Sequence, residues 1–415
     1  MKFFINSYFG DNQSIGLLSH IKKRLPYGMD DQWMVFSHYT ERGWTVDNLW
    51  HIFTDFYGGQ YAPLAFLSYL VLYAGFGYDP FYFHMFSLLL HIGCVCLVWK
   101  LISSLLRVHG GVSEKQILYV NFITTLLFAV HPINVEAVAW ISALKVLLYA
   151  FFYLLGLLCY LRYIRTSKIF YYVLTIGCFL CSFWGKEQAV TFPLALLIVD
   201  WFTNRNMKNL EVWSEKMSFL IMAFFFGIIT VLSQGKGPYE MIFPLYQRLL
   251  FGCFALVEYI TKSLLPVNLN FFYPFPIVLG EEPPLHYHLY PVVLLFLMGW
   301  IIAYRNNRYL VFGVLLFLVN LLFSIHLFNM SRHAIVADRY MYLSYVGIVF
   351  LIANGIWWLR KRLSYFKAAL VFLFFYCFFL SVYTFHYTKK WENTTMVKKY
   401  TKEVLEKRLN GSNHL

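Results

Sequence analysis

Phe81-Tyr-Phe-His-Met-Phe-Ser-Leu-Leu-Leu-His91 opens a run that stays largely apolar through Leu106. An α-helix needs about 20 such residues to cross the hydrocarbon core of a bilayer, and this run is long enough. Its apolar residues are continuous rather than alternating, which argues against a barrel strand. Similar runs follow at 117–130, 146–161, 169–184, 189–202, 217–232, 289–303, 310–328, 341–359 and 368–385, so ten spans are expected. Residues 60–77 are apolar but short and interrupted by Gly, Pro and Tyr, and predict an interfacial or partly inserted helix. Residues 247–265 carry Arg248, Glu258 and Lys262 and predict an in-plane or re-entrant helix. The fold class expected is an all-α polytopic membrane protein with about ten to twelve membrane segments.

Composition agrees. Of 415 residues, 60% are hydrophobic and only 13% charged, which no soluble domain matches. The net charge of +13 does not indicate nucleic acid, because the basic residues punctuate the ends of apolar runs instead of forming one patch. All seven cysteines lie within apolar runs, and no disulfide framework is expected. Cys178-Phe-Leu-Cys181 has metal or redox spacing, but inside a span packing is the expected role.

Positive charge sets the expected orientation. If the loop from Arg107 to Lys115 is cytoplasmic, then so are Arg165/Lys168, Arg205/Lys208/Lys216, Arg305/Arg308 and Arg360/Lys361/Arg362/Lys367. This divides the chain into an extracytoplasmic segment 1–79, a transmembrane bundle 80–386 and a short extracytoplasmic tail 387–415. Residues 1–25 lack an apolar core and predict neither a signal peptide nor a span. The tail predicts an amphipathic helix over 396–409, with Val397, Tyr400, Val404 and Leu405 near one face.

In this orientation the unusual polar groups fall on one side. They are Asp30 and Asp31, His131 and Glu136, Lys145, Lys186 and Glu187, Arg332 and His333, and Asp338 and Arg339. For any single one, an interfacial anchor is the simpler explanation. Together they predict a site facing a cavity at the membrane boundary. Carboxylates beside Lys and Arg suit proton abstraction combined with binding of an anion such as phosphate. Asp30 is also a common helix cap, ahead of a helix beginning at Asp31. The acids are compatible with a divalent metal, but no His/Cys spacing demands one. His84 and His91 share a helix face, and packing or hydrogen bonding is expected of them.

The run His131-Pro-Ile-Asn-Val-Glu-Ala-Val-Ala-Trp-Ile-Ser142, with Lys145 and Leu147-Leu-Tyr-Ala150, resembles the transmembrane-and-tetratricopeptide O-mannosyltransferase family and its bacterial relatives. So do Asn48-Leu, Ile52-Phe-Thr54, Tyr61-Ala-Pro-Leu64, Phe76-Gly-Tyr-Asp-Pro80, His84, Leu88-Leu-Leu-His91, Lys186-Glu187, Ala189-Val-Thr191, Asp200-Trp201 and Ala337-Asp-Arg-Tyr-Met-Tyr-Leu343. Each is weak alone; their order along the chain is specific.

The resemblance implies a GT-C helical bundle and an inverting glycosyltransferase. Sugar would pass from a polyprenyl-phosphate donor to a hydroxyl of a protein or glycan outside the cytoplasm. It implies catalytic acids at Asp30 and Asp31, and donor-phosphate contacts at Lys145, Lys186, Arg332 and Arg339. Glu136 and Glu187 would orient Lys145 and Lys186 or bind sugar hydroxyls. His131, His333 and Asp338 would support the site. The pattern departs from the family in two ways. No span precedes the acidic pair, and the tail is too short for a repeat array, since one repeat needs about 34 residues. Expected partners are the lipid-linked sugar, the hydroxyl acceptor and membrane lipids, with no nucleic acid and no required cofactor. The expected location is a bacterial inner membrane with the site facing outward, or else the endoplasmic reticulum membrane with a lumenal site. A transporter or flippase for a lipid-linked or anionic solute is the rival reading; such sites more often lie at the midplane on broken helices. An inactive scaffold is a third.

Overall fold

The computed structural model describes residues 30–234, 243–327, 334–393 and 395–403. Helices dominate, and among the described residues the only β features are two isolated bridges, Tyr57–Gln60 and Tyr273–Val336. In chain order the helices are α1 (Asp31–Met34), α2 (His38–Glu41), α3 (Val46–Thr54), α4 (Pro63–Phe76), α5 (Pro80–His109) and α6 (Glu114–Val130). Next come α7 (Val135–Ala139), α8 (Leu144–Thr166), α9 (Ile169–Gly185), α10 (Phe192–Phe202) and α11 (Leu210–Gln234). The last are α12 (Leu245–Leu264), α13 (Leu289–Ala303), α14 (Arg308–Leu321), α15 (Met341–Trp358) and α16 (Leu363–Lys389).

Six helical segments among the described residues are long and apolar enough to cross a membrane, seven if α6 and its bent continuation count as one span. They run over Pro80–His109, Ile141–Thr166, Leu210–Ser233, Leu285–Ala303, Asp338–Lys361 and Leu363–Lys389. The protein is therefore an integral membrane protein by helix length and composition, but ten full spans are not found. The other runs are shorter helices: α9 has 17 residues, α10 11 and α14 14. Polar chain folds back into the bundle at their ends. At α10, Pro193 has no N–H and fits only a first turn, so Glu187–Thr191 form a 3-10 turn before the helix begins.

The central helices are α8 and α15, with nearly every position from Leu144 to Tyr153 buried. α15 and its neighbour α14 pack closely because glycines permit it. A Cβ on Gly347 would stand 2.5 Å from the carbonyl oxygen of Gly313, so α14 and α15 meet backbone to backbone. In contrast, α13 has no buried residue and is mostly exposed, as a lipid-facing helix can be, with Tyr290 packed against Phe254 of α12. Residues 60–77, expected as an interfacial helix, contain α4, whose Tyr69 hydroxyl donates to the Ile141 carbonyl at 2.9 Å. In α12 Lys262 is buried, lies 3.7 Å from Glu258 and donates to the Tyr273 hydroxyl at 2.7 Å. Its charge is met inside the protein.

Arg205 and Lys216, expected as cytoplasmic loop charges, also have partners. Lys216 is buried 2.6 Å from Asp200, and Arg205 reaches Glu215 through two bonds of 2.6 and 2.9 Å. The Tyr160 hydroxyl donates to Asp200 at 2.8 Å in the same network. Such pairing is what allows these charges to be buried. Of that loop, exposed Lys208 remains as a topology signal.

Of the tail helix predicted over 396–409, residues 396–403 are described; the rest, with Val404 and Leu405, lies outside the described residues. Val397 is buried, beside Tyr387, Trp391 and Trp140. The tail therefore shares an end of the bundle with the Asp31 segment, since Trp140 donates to Asp31. In a cysteine-free background, Asp47→Cys and Lys399→Cys should react with a membrane-impermeant maleimide in intact cells or spheroplasts. Lys168→Cys should not. Labelling of Lys168→Cys, or of only one of the others, would overturn the orientation read from the basic loops.

Candidate active site

Two breaks in the helical path build the site. The first is Trp140, whose extended backbone (ψ 117°) separates α7 from the 3-10 turn Ile141–Ala143 and α8. The first N–H groups of a helical segment have no partner of their own. Here Asp31 supplies one: its Oδ1 accepts from the Ser142 N–H at 2.9 Å and from the Ser142 hydroxyl, and its Oδ2 accepts from the Trp140 indole at 3.2 Å. Asp31 is buried, and burial pushes its carboxyl up to about 7, against the pull of the Ser142 and Trp140 donors.

Asp30 behaves differently. It occupies the N-cap position of α1, yet its side chain makes no cap hydrogen bond, contrary to the capping role open to it from sequence. Its carboxylate is half-buried and is an electrostatic neighbour of Lys145 and Arg339.

The second break follows α9. Gly185 is its last residue, and a Cβ there would lie 2.7 Å from the Tyr149 backbone nitrogen in α8. This close approach brings the extended Lys186 beside Lys145, one turn before Tyr149. Lys145 is buried and donates to the Gln60 side-chain carbonyl at 2.5 Å. Lys186 is buried with its ammonium 4.7 Å from the centre of the Tyr340 ring. Burial pulls its pKa down to about 8, opposed by the charge of Glu187. Glu187 is half-buried and acts electrostatically on both lysines.

Arg339 enters from the 3-10 turn Asp338–Tyr340. Its backbone N–H donates to Glu136 at 2.7 Å and its guanidinium to the other Glu136 oxygen at 2.5 Å. The guanidinium lies 5.2 Å from the Trp140 ring centre and 5.1 Å from that of Tyr340. Glu136 thus orients Arg339 rather than Lys145.

The structure therefore brings together Asp30, Asp31, Glu136, Lys145, Lys186, Glu187 and Arg339. Two expected members are held by partners outside this set. Asp338 is buried among other groups, accepting from the Tyr273 hydroxyl at 2.9 Å with Lys262 at 3.7 Å. His131 is buried against Tyr345, and its Nδ1 accepts from the Ile133 N–H at 3.2 Å as a helix cap. Arg332 and His333 lie outside the described residues. Gln60, Trp140, Ser142 and Tyr340 join the site without a sequence signal that predicts a site role for them. Gln60 carries no local signal, since its contact with Lys145 is 85 positions away. Away from the site, His91 forms a 2.7 Å hydrogen bond with Tyr342, as expected of a bundle histidine.

Fold and site define an all-helical integral membrane protein with acids and cations gathered at one end of the bundle. The chain is 32% identical over 189 residues to protein O-mannosyl-transferase TMTC2 of Mus musculus, a match covering 41% of this chain and 21% of that protein. It is 31% identical over 167 residues to protein O-mannosyl-transferase TMTC4 of Homo sapiens (35% and 22%). It is 28% identical over 172 residues to protein O-mannosyl-transferase Tmtc3 of Drosophila melanogaster (37% and 18%). The matched stretch spans about a fifth of the length of these curated relatives. No family model matches the chain, and no solved structure matches it. The resemblance to these O-mannosyltransferases thus rests on similarity over about two fifths of the chain as well as on short motifs.

Proposed function

We propose that the protein is a membrane glycosyltransferase that moves a sugar, mannose by analogy with its relatives' names, from a polyprenyl-phosphate donor to a hydroxyl of a protein. The observation that carries this reading is a carboxylate without a cap hydrogen bond, Asp30, beside the cations Lys145 and Arg339. A general base must reach the proton it removes, so geometry ranks before pKa. Asp31 is buried, with both oxygens bonded to Trp140 and Ser142, and is a positioning residue. Asp30 is the base.

Asp30 takes the acceptor hydroxyl proton. The oxygen bonds to the anomeric carbon from the face opposite the phosphate, with inversion. The bond from that carbon to the phosphate oxygen breaks, and its electron pair leaves with the lipid phosphate. Lys145, Lys186 and Arg339 meet the developing negative charge, as preorganised cations do. Glu187, beside both lysines, suits the sugar hydroxyls. The site faces away from the cytoplasm, in a bacterial inner membrane or equally in the endoplasmic reticulum.

The test incubates purified full chain with radiolabelled polyprenyl-phosphate mannose and Ser/Thr-containing acceptor peptides. Labelled peptide with released polyprenyl phosphate is the expected result. Movement of intact donor across a liposome membrane without release would overturn the reading in favour of a transporter.

The Lys186 ammonium adds a pH signature. A lysine with a pKa of about 8 is charged at pH 7 and neutral above 8. Since kcat/KM reports the free enzyme, it should fall as pH rises through about 8. The fall should be about 10- to 150-fold, because hydrogen bonds to charged groups contribute about 1.5–3 kcal/mol. Lys186→Arg should remove this alkaline limb. A limb unchanged in that variant would assign the titration to another group.

A further inference from the structure

Lys145 stands in the first turn of α8 and Arg165 in its last, about 30 Å apart along the axis at 1.5 Å per residue. At the Arg165 end, α5 and α8 leave a cavity of about 540 Å³ between them. Lys100 and Arg107 line it from α5, and Arg162 and Arg165 from α8. Ser103 and Ser104 add two hydroxyls, and no carboxylate is among the described lining residues. Arg107 shares its charge with Glu114 at 3.1 Å, just outside the lining. Arg162 lies 5.9 Å from the centre of the Tyr171 ring. Four cations around one cavity repel one another, and one neighbouring carboxylate offsets only part of that repulsion.

The rest of the wall is apolar. Leu97, Leu155 and Leu158 line the cavity on the side away from the helix ends. A free phosphate would use the cations and leave the leucines without a role. A phospholipid uses both, with phosphates among the cations and acyl chains along the leucines. Basic pockets between spans commonly hold anionic lipid headgroups in this way. The excess of cations favours a headgroup with more than one negative charge.

We propose that this cavity binds an anionic phospholipid carrying two phosphates, at the membrane face opposite the Asp30 cluster. The site is separate from the transfer reaction and needs no residue of it. It tethers the cytoplasmic ends of α5 and α8 to the lipid, and so stabilises their pairing.

The probe is cardiolipin. Purified full chain is placed in phosphatidylcholine nanodiscs containing a minor fraction of cardiolipin, and native mass spectrometry measures the lipid retained. The wild type should retain cardiolipin in preference to phosphatidylcholine. Each basic residue near a lipid surface contributes enough that Arg162→Gln with Arg165→Gln should weaken retention by about 30-fold, and Lys100→Gln alone by about fivefold. Lys100 forms no ion pair among the described residues, so its variant serves if the double variant fails to fold. Lys168→Gln, on the same face but outside the cavity, should change nothing. The proposal is overturned if the wild type shows no preference for cardiolipin, or if Lys100→Gln and any folded double variant retain it fully. Displacement of cardiolipin by millimolar inorganic phosphate would also overturn it, by making the cavity a site for a soluble anion.

Discussion

Asp30→Asn should lower turnover by about two to four orders of magnitude, the range a positioned general base contributes. The amide keeps the size of the carboxylate and removes its basicity. Asp30 makes no cap hydrogen bond, so folding should be unaffected, and donor binding should stay within a few-fold of wild type. Asp31→Asn should behave differently. Its amide nitrogen would face either the Trp140 indole N–H or the two Ser142 donors, so one donor-to-donor conflict follows whichever way it turns. The expected result is lower thermal stability together with lower turnover. Single-turnover transfer and thermal unfolding of both variants separate the two roles. Near-normal turnover in Asp30→Asn would end its assignment as base, and a loss in Asp31→Asn without destabilisation would transfer that role to Asp31.

Glu136→Gln should have the largest effect on stability. Glu136 is fully buried, and each of its oxygens accepts from Arg339, one from the backbone and one from the guanidinium. Glutamine can accept only one of these and presents an NH₂ group to the other. Arg339 also loses its counter-charge. Breaking a buried ion pair from one side costs about 3–5 kcal/mol, and the lower end applies because the Arg339 side chain is 19% exposed. The melting temperature should fall clearly, and donor binding should weaken because Arg339 is no longer held between Trp140 and Tyr340. Removing both charges, with Glu136→Gln and Arg339→Gln together, should recover part of the stability and none of the donor binding. A double variant no more stable than Glu136→Gln would show that the pair is not what holds the turn.

By itself the amino-acid sequence determined that this is a helical membrane protein, because long apolar runs have no stable place in water. It also determined the candidate pool for the site. Charged residues are costly in a span, and the span ends assigned to the side of Asp30 and Asp31 carry His131, Glu136, Lys145, Lys186, Glu187, Arg332, His333, Asp338 and Arg339. The division of labour within that pool was not legible. Asp30 and Asp31 are adjacent and chemically alike, and only the fold of Trp140 and Ser142, about 110 positions away, makes one an anchor and leaves the other open. Glu136 precedes Lys145 in sequence but pairs with Arg339 across 203 positions. His131 and Asp338 share the polar pattern of the site residues, yet Ile133 and Tyr273 claim them elsewhere. Which apolar runs are full spans was not legible for a related reason. Hydropathy reports whether a residue tolerates lipid, whereas the end of a helix depends on which backbone groups find partners. α9 stops where Gly185 meets the Tyr149 backbone of α8, and that meeting is a tertiary event.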